Sequence, residues 1–180
     1  MNYQHLTTER LDLTAVSFAD LAELHTLHAD PRVWTHLPSG VHTTEQRTRA
    51  DLEAYTADWE RDGLGYWTAR RRDDGDLVGI GGVRLRPTGT WNLYYRLAPD
   101  HQGQGYAAEL VRAAIEAATA YDAETPVVAY LLDHNEASRR TAERAGLEQV
   151  WRGPDRDVPG GVRLVYADRS LPPETVERLH

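Results

Sequence analysis

Between a strand-like run, Trp91 to Leu97, and a helix-like run, Ala107 to Tyr121, the chain reads Asp100-His101-Gln102-Gly103-Gln104-Gly105-Tyr106-Ala107. This spelling forces a strand–turn–helix unit, because closely spaced glycines let backbone amides turn toward one point without Cβ interference. The helix start behind them adds unpaired N–H donors and a partial positive charge. Together they make a socket of the right sign for a phosphate or pyrophosphate. A tight turn that binds nothing is spelled the same way.

Two better-known loops do not fit. A P-loop requires Gly-x4-Gly-Lys-Ser/Thr, and all twenty basic residues here are arginine. A dinucleotide-binding turn places Gly-x-Gly-x-x-Gly after the first strand of a βαβ unit, whereas Gly103 and Gly105 lie mid-chain and are followed by Ala108. Cysteine is absent, which excludes disulfides, thiolate zinc sites and a cysteine nucleophile, and suits a reducing cytoplasm. No apolar run approaches membrane-span length, so the expectation is a cytoplasmic chain without membrane partners. A net charge of −8 argues against general nucleic-acid binding and favours a cationic substrate drawn to an acidic cleft.

Along the chain, Arg10 to Thr14 alternates as a strand. Ser17-Phe18-Ala19-Asp20 opens a helix running to His28, and Asp30-Pro31 stops it. Thr43 or Thr44 caps a second helix, Glu45 to Arg61, ended by Asp62-Gly63. The period then changes to two: Tyr66 to Arg71, a turn at Asp73 to Asp76, Leu77 to Arg86, and Trp91 to Leu97. Leu110, Val111, Ala114, Ile115 and Ala118 mark a helix with one buried face. Thr125 to Leu132 reads as a buried strand. Asn135 caps a helix closed by Gly146, and strands Leu147 to Trp151 and Val162 to Ala167 follow. The length of 180 residues suits one domain over 1–180. Its order, β-α-α-β-β-β-α-β-α-β-β, predicts a mixed α/β (α+β) sheet of about seven strands with about four helices.

Asn135-Glu136-Ala137-Ser138, followed by a small-residue helix and Gly146-Leu147, is unremarkable alone. Paired with Gln102-Gly103-Gln104-Gly105-Tyr106-Ala107, it resembles the GNAT N-acetyltransferase superfamily. Gln102, Gly105 and Ala107 occupy the defining places of that family's Gln/Arg-x-x-Gly-x-Gly/Ala acetyl-CoA signature, and Asn135 and Ser138 match its later Asn-x-x-Ser helix. Thr8-Glu9-Arg10-Leu11-Asp12-Leu13 and Gly105-Tyr106-Ala107-Ala108-Glu109-Leu110 are similar to the branch of ribosomal-protein-alanine and -serine acetyltransferases.

The resemblance implies a GNAT-type, mostly antiparallel sheet. It further implies direct acetyl transfer from acetyl-CoA to a primary amine, a protein N-terminus or a small cationic amine. Backbone amides of Gln102, Gly103, Gln104, Gly105, Tyr106 and Ala107 would hold the pyrophosphate. The pantetheine arm would lie between two splayed strands, Trp91 to Leu97 and Thr125 to Leu132, with Leu97 and Asn135 as partners. The family's common Glu base and Tyr acid fall on Asn92 and Ala142, neither of which can do that work. Ser138 is the replacement acid, or else a small residue permitting close helix packing. Tyr94, sharing strand parity with Asn92, is a candidate base; His134 or ordered water are the alternatives. Trp34, His36 and Trp67 are expected as walls of the acceptor pocket. His25 and His28 stand at i, i+3 without a third ligand, so no metal is expected. A degenerate member that binds acyl-CoA as a sensor or assembly module is the other reading, as is a phosphate-binding fold unrelated to coenzyme A. A homodimer is among the assemblies the sequence leaves open.

Overall fold

The computed structural model describes residues 2–179. Its strands are β1 (His5–Thr7), β2 (Leu11–Ala15), β3 (Tyr66–Arg71), β4 (Leu77–Arg86), β5 (Thr90–Leu97), β6 (Val127–Leu132), β7 (Glu148–Pro154) and β8 (Val162–Ala167). The helices are α1 (Leu21–Ala29), α2 (Glu45–Asp62), α3 (Tyr106–Tyr121), α4 (Glu136–Arg144) and α5 (Pro173–Arg178). The strands form one sheet in the order β1-β2-β3-β4-β5-β6-β8-β7, and only β5 and β6 run parallel. The expected mixed, mostly antiparallel architecture is present. Two elements are added, β1 and α5; three and six residues long, they are too short for periodicity to mark them.

Local chemistry explains the boundaries. The Ser17 amide donates to Asp20 Oδ2 at 2.9 Å, making the turn that leads into α1. Thr44 caps α2, and Gly63, at φ +70°, ends it.

The sheet is covered on both faces. On one, α3 lays Leu110, Val111, Ala114 and Ala118 against Val83, Trp91 and Leu93. The approach is close: a Cβ on Gly81 would stand 2.7 Å from Leu110 Cδ2, so β4 passes under α3 only as glycine. On the other face, Leu24, Leu27 and Leu52 from α1 and α2 meet Tyr66 and Ile80. The β3–β4 register shifts at Ala69/Arg70, leaving Val78 opposite no partner. That irregularity turns Val78 into the α3 core while Ile80 faces α1 and α2.

Candidate active site

β5 and β6 pair only at Trp91↔Val127, Asn92↔Val128 and Leu93↔Ala129, and beyond Leu93 they part. β6 stays in the sheet because β8 holds it as far as Leu132↔Arg163. β5 is held by β4 up to Gly79↔Leu97. A V-shaped gap results, with α4 at its mouth. Two cavities of about 690 Å³ and about 400 Å³ meet there, sharing His36, Tyr95, Arg96, Asn135, Ser138 and Thr141 as walls.

The smaller cavity is built on the glycine turn. Gly103 and Gly105 take φ of +74° and +86°, the left-handed region where a side chain is strained. Nothing stands within 4 Å of where a Cβ on Gly103 would project, so the turn presents bare backbone. The first intrahelical bond of α3 runs from the Glu109 amide to Gly105 O at 3.2 Å. The amides of Tyr106, Ala107 and Ala108 therefore have no helical acceptor and are available to an anion. Gln102 and Gln104 brace the turn with their side chains, Gln102 Nε2 donating to Leu97 O (3.1 Å) and Gln104 Nε2 to Asp100 O (2.8 Å). Arg144 adds positive charge to the wall, and Arg32 and Arg140 stand there paired with Asp30 (2.6 Å) and Glu136 (3.2 Å).

The turn is latched from the N-terminal end. Glu109 accepts from Thr8 Oγ1 (2.5 Å), the Arg10 amide (2.7 Å) and Arg10 Nε (2.8 Å). Burial pulls the Glu109 carboxyl upward, but these three donors outweigh it and hold it below its ordinary value. The two segments that carry the ribosomal-protein-branch likeness thus touch each other.

At the mouth of the gap, Asn135 Oδ1 accepts from the Ser138 amide at 3.2 Å, so Asn135 caps α4. Ser138 Oγ accepts a hydrogen bond from the Tyr95 hydroxyl at 3.3 Å. Tyr95 is a residue the sequence reading missed. Parity set it opposite Asn92 and Tyr94, and nothing local revealed that its face of β5 opens onto α4. Ala142, one turn further on, is buried in the main core.

Tyr94 lines the larger cavity from the other side of β5 and stacks on Tyr66, centroids 5.0 Å apart. Burial raises its phenol above the ordinary value. Its hydroxyl is 3.5 Å from His28 Nε2, while His28 Nδ1 donates to Leu24 O at 2.8 Å. Burial pushes His28 down to about 4, so the ring is neutral and Nε2 is its acceptor. His36 lines both cavities and is also pushed down to about 4, first by burial and then by Arg96 and His134. His134 is exposed and donates Nε2–H to His36 O at 2.9 Å, tying the two rims together.

Of the expected acceptor walls, only His36 lines a cavity. Trp67 is fully buried in the main core, edge-on to Trp59, with its Nε1 donating to Tyr3 O. Trp34 is buried too, its Nε1 bonded to His28 O, and it supports the guanidinium of Arg96 from beneath at 4.1 Å. Alternation within β3 explains Trp67: its neighbour Tyr66 takes the α1–α2 face and leaves Trp67 the other. The acidic balance is not gathered at the cleft either. The larger cavity is lined by Arg86, Arg96, Arg156, Arg163 and Arg178, with Asp157 its single carboxylate.

A sheet split between two parallel neighbours, with a glycine turn and helix N-terminus facing the gap, is the architecture of one acyltransferase class. The chain belongs to the acetyltransferase (GNAT) domain family, whose model matches residues 10–148. It is 27% identical over 113 residues to the uncharacterized N-acetyltransferase YnaD of Bacillus subtilis, a match spanning 62% of this chain and 64% of that relative. Among solved structures it resembles an acetyltransferase from Agrobacterium tumefaciens, with TM-score 0.79, 26% identity, and 94% and 96% of the two chains covered. RimL, a ribosomal-protein α-N-acetyltransferase solved in complex with coenzyme A, shares the fold at TM-score 0.77 and 19% identity, with 92% and 97% covered. Among the described residues, no helix is long and apolar enough to cross a membrane.

Proposed function

We propose that this chain transfers an acetyl group from acetyl-CoA to a primary amine, directly, in a ternary complex. The carrying observation is the junction of the two cavities at Tyr95, Asn135 and Ser138, with unpaired helix-start amides on one side and the wider cleft on the other. The residues fit the coenzyme. Amides from Gly103 to Ala107, backed by Arg144, suit its phosphates. The edge of β5 from Tyr94 to Arg96, unpaired by β6, suits the pantetheine amides, with Asn135 at the far side, while Leu97 O already accepts from Gln102 Nε2.

Acyl transfer needs a neutral amine, a polarised carbonyl and a protonated leaving group. The amine nitrogen bonds to the acyl carbon as the carbon–sulfur bond breaks. Ser138 Oγ supplies the proton to the departing sulfur and recovers one from the Tyr95 hydroxyl that donates to it, and water returns to Tyr95 the proton that the attacking nitrogen sheds as it becomes an amide. The ammonium proton leaves through water in the wider cleft, where Asn92, Tyr94 and neutral His36 supply hydrogen bonds and the one carboxylate, Asp157, is paired with Arg163. Proximity in such a cleft accounts for much of the rate.

Asn92 and Ala142, where relatives of this family commonly carry the base and acid, favour one rival: an acyl-CoA-binding module without turnover. Release of free thiol from acetyl-CoA, measured with a panel of amines alongside calorimetric titration of coenzyme A, separates the two. Amine-dependent thiol release is the expected result. Tight coenzyme binding without it would establish the module, and no binding at all would overturn both.

A further inference from the structure

We infer that the acceptor is a small amine that also carries an anionic group, a carboxylate or a phosphate, recognised by Arg96. This rests on the acetyltransferase reading of the cleft and narrows it. Although the chain is acidic as a whole, the acceptor-side cavity is ringed by arginine. Arg163 is neutralised there by Asp155 (2.5 Å) and by Asp157 (3.5 Å). Arg86, Arg96, Arg156 and Arg178 also line it, and among the described residues none of these four forms an ion pair. A cationic acceptor would meet only repulsion from them.

Arg96 stands at the junction of both cavities, beside the Tyr95–Ser138 pair. Its guanidinium lies 4.1 Å over the Trp34 ring and 5.2 Å from the Tyr94 ring, so the planar fork is oriented before any ligand arrives. Its Nε is buried beside Tyr94, so the terminal Nη groups are the part of the fork that faces the cavities. Among the described residues no carboxylate pairs with this guanidinium, and a carboxylate or phosphate oxygen in the cavity would supply that partner. The imidazoles nearby do not compete for that anion, since His28 and His36 are neutral near pH 7. Positive potential also favours the neutral form of an arriving amine, the form that attacks. The anion binds the fork, and the amine extends toward Ser138.

The test compares kcat/KM for aspartate and O-phosphoethanolamine with ethanolamine, 1,3-diaminopropane and a hexapeptide with an acidic N-terminal sequence. It uses wild type and Arg96→Gln, with the coenzyme A dissociation constant measured for each. The expected result is a preference of about tenfold or more for the small anionic amines, collapsing toward unity in Arg96→Gln at unchanged coenzyme affinity. Equal or better use of the neutral amine or the diamine overturns the inference, as does acetylation of the peptide alone. Weakened coenzyme binding in Arg96→Gln with the preference intact would assign Arg96 to the coenzyme instead. If no amine turns over, the acetyltransferase reading falls separately. Calorimetry of O-phosphoethanolamine against the coenzyme A complex then decides: binding lost in Arg96→Gln keeps the anion site, and no binding to wild type removes it.

Discussion

Arg10 and Glu109 form an ion pair at 2.8 Å between the start of β2 and the first turn of α3. The same arginine donates through Nη1 to Gln104 O at 2.9 Å and lies 4.5 Å over the Tyr106 ring. One side chain therefore ties the glycine turn and its helix to the start of β2. Glu109→Gln keeps the shape but removes the charge that gathers three donors. The expected loss is about 1–3 kcal/mol of stability with weaker coenzyme binding, read by denaturant melts and calorimetry. An unchanged coenzyme affinity would mean the turn holds its form without the latch.

Gly105→Val places a β-branched residue at φ +86° and a Cβ 3.3 Å from Arg10 Nη2. Strain of this kind costs about 1–3 kcal/mol, and here it falls on the anion socket itself. Coenzyme A affinity should drop about tenfold or more while the melting profile stays cooperative. Wild-type affinity in this variant would show that the phosphates bind elsewhere.

Ser138→Ala should lower kcat by about ten- to a hundredfold and leave the coenzyme dissociation constant nearly unchanged, the mark of a group that acts on the leaving sulfur. Tyr95→Phe should move kcat in the same direction by less, because its hydroxyl acts through Ser138. Equal turnover in wild type and Ser138→Ala removes the serine from the reaction.

Asp155 is buried at the β7–β8 turn, where the Arg163 guanidinium holds its carboxyl below the ordinary range and the amides of Asp157 and Val158 add to that effect. A depressed carboxylate contributes stability above its unfolded pKa and loses it as pH falls through the lower folded value. Thermal melts of wild type should therefore fall faster than those of Asp155→Asn between about pH 5 and about pH 2, the gap between them closing. Parallel curves would show that the pair adds nothing to folding.

Much of this molecule is written locally, and those parts were legible. Glycines at positive φ, the Asn135 cap and the stripe of α3 each depend on neighbours within a turn or two. What was not legible depends on distance. Tyr95 meets Ser138 across forty-three positions, and no period in either segment announces it. The Trp67 ring could have faced either way until β2 and β4 had closed on β3. Net charge misled for a similar reason. It sums the whole surface, whereas Arg86, Arg96, Arg156 and Arg178 reach one hollow from a strand pair, a loop and a terminal helix.

The parting of β5 from β6 leaves an open seam in the middle layer of the molecule rather than at its rim. Main-chain groups along that seam have no partner strand until something slender is stitched between them. On the proposed reading the donor molecule is that thread, and loading it would stiffen the very layer on which the chemistry rests.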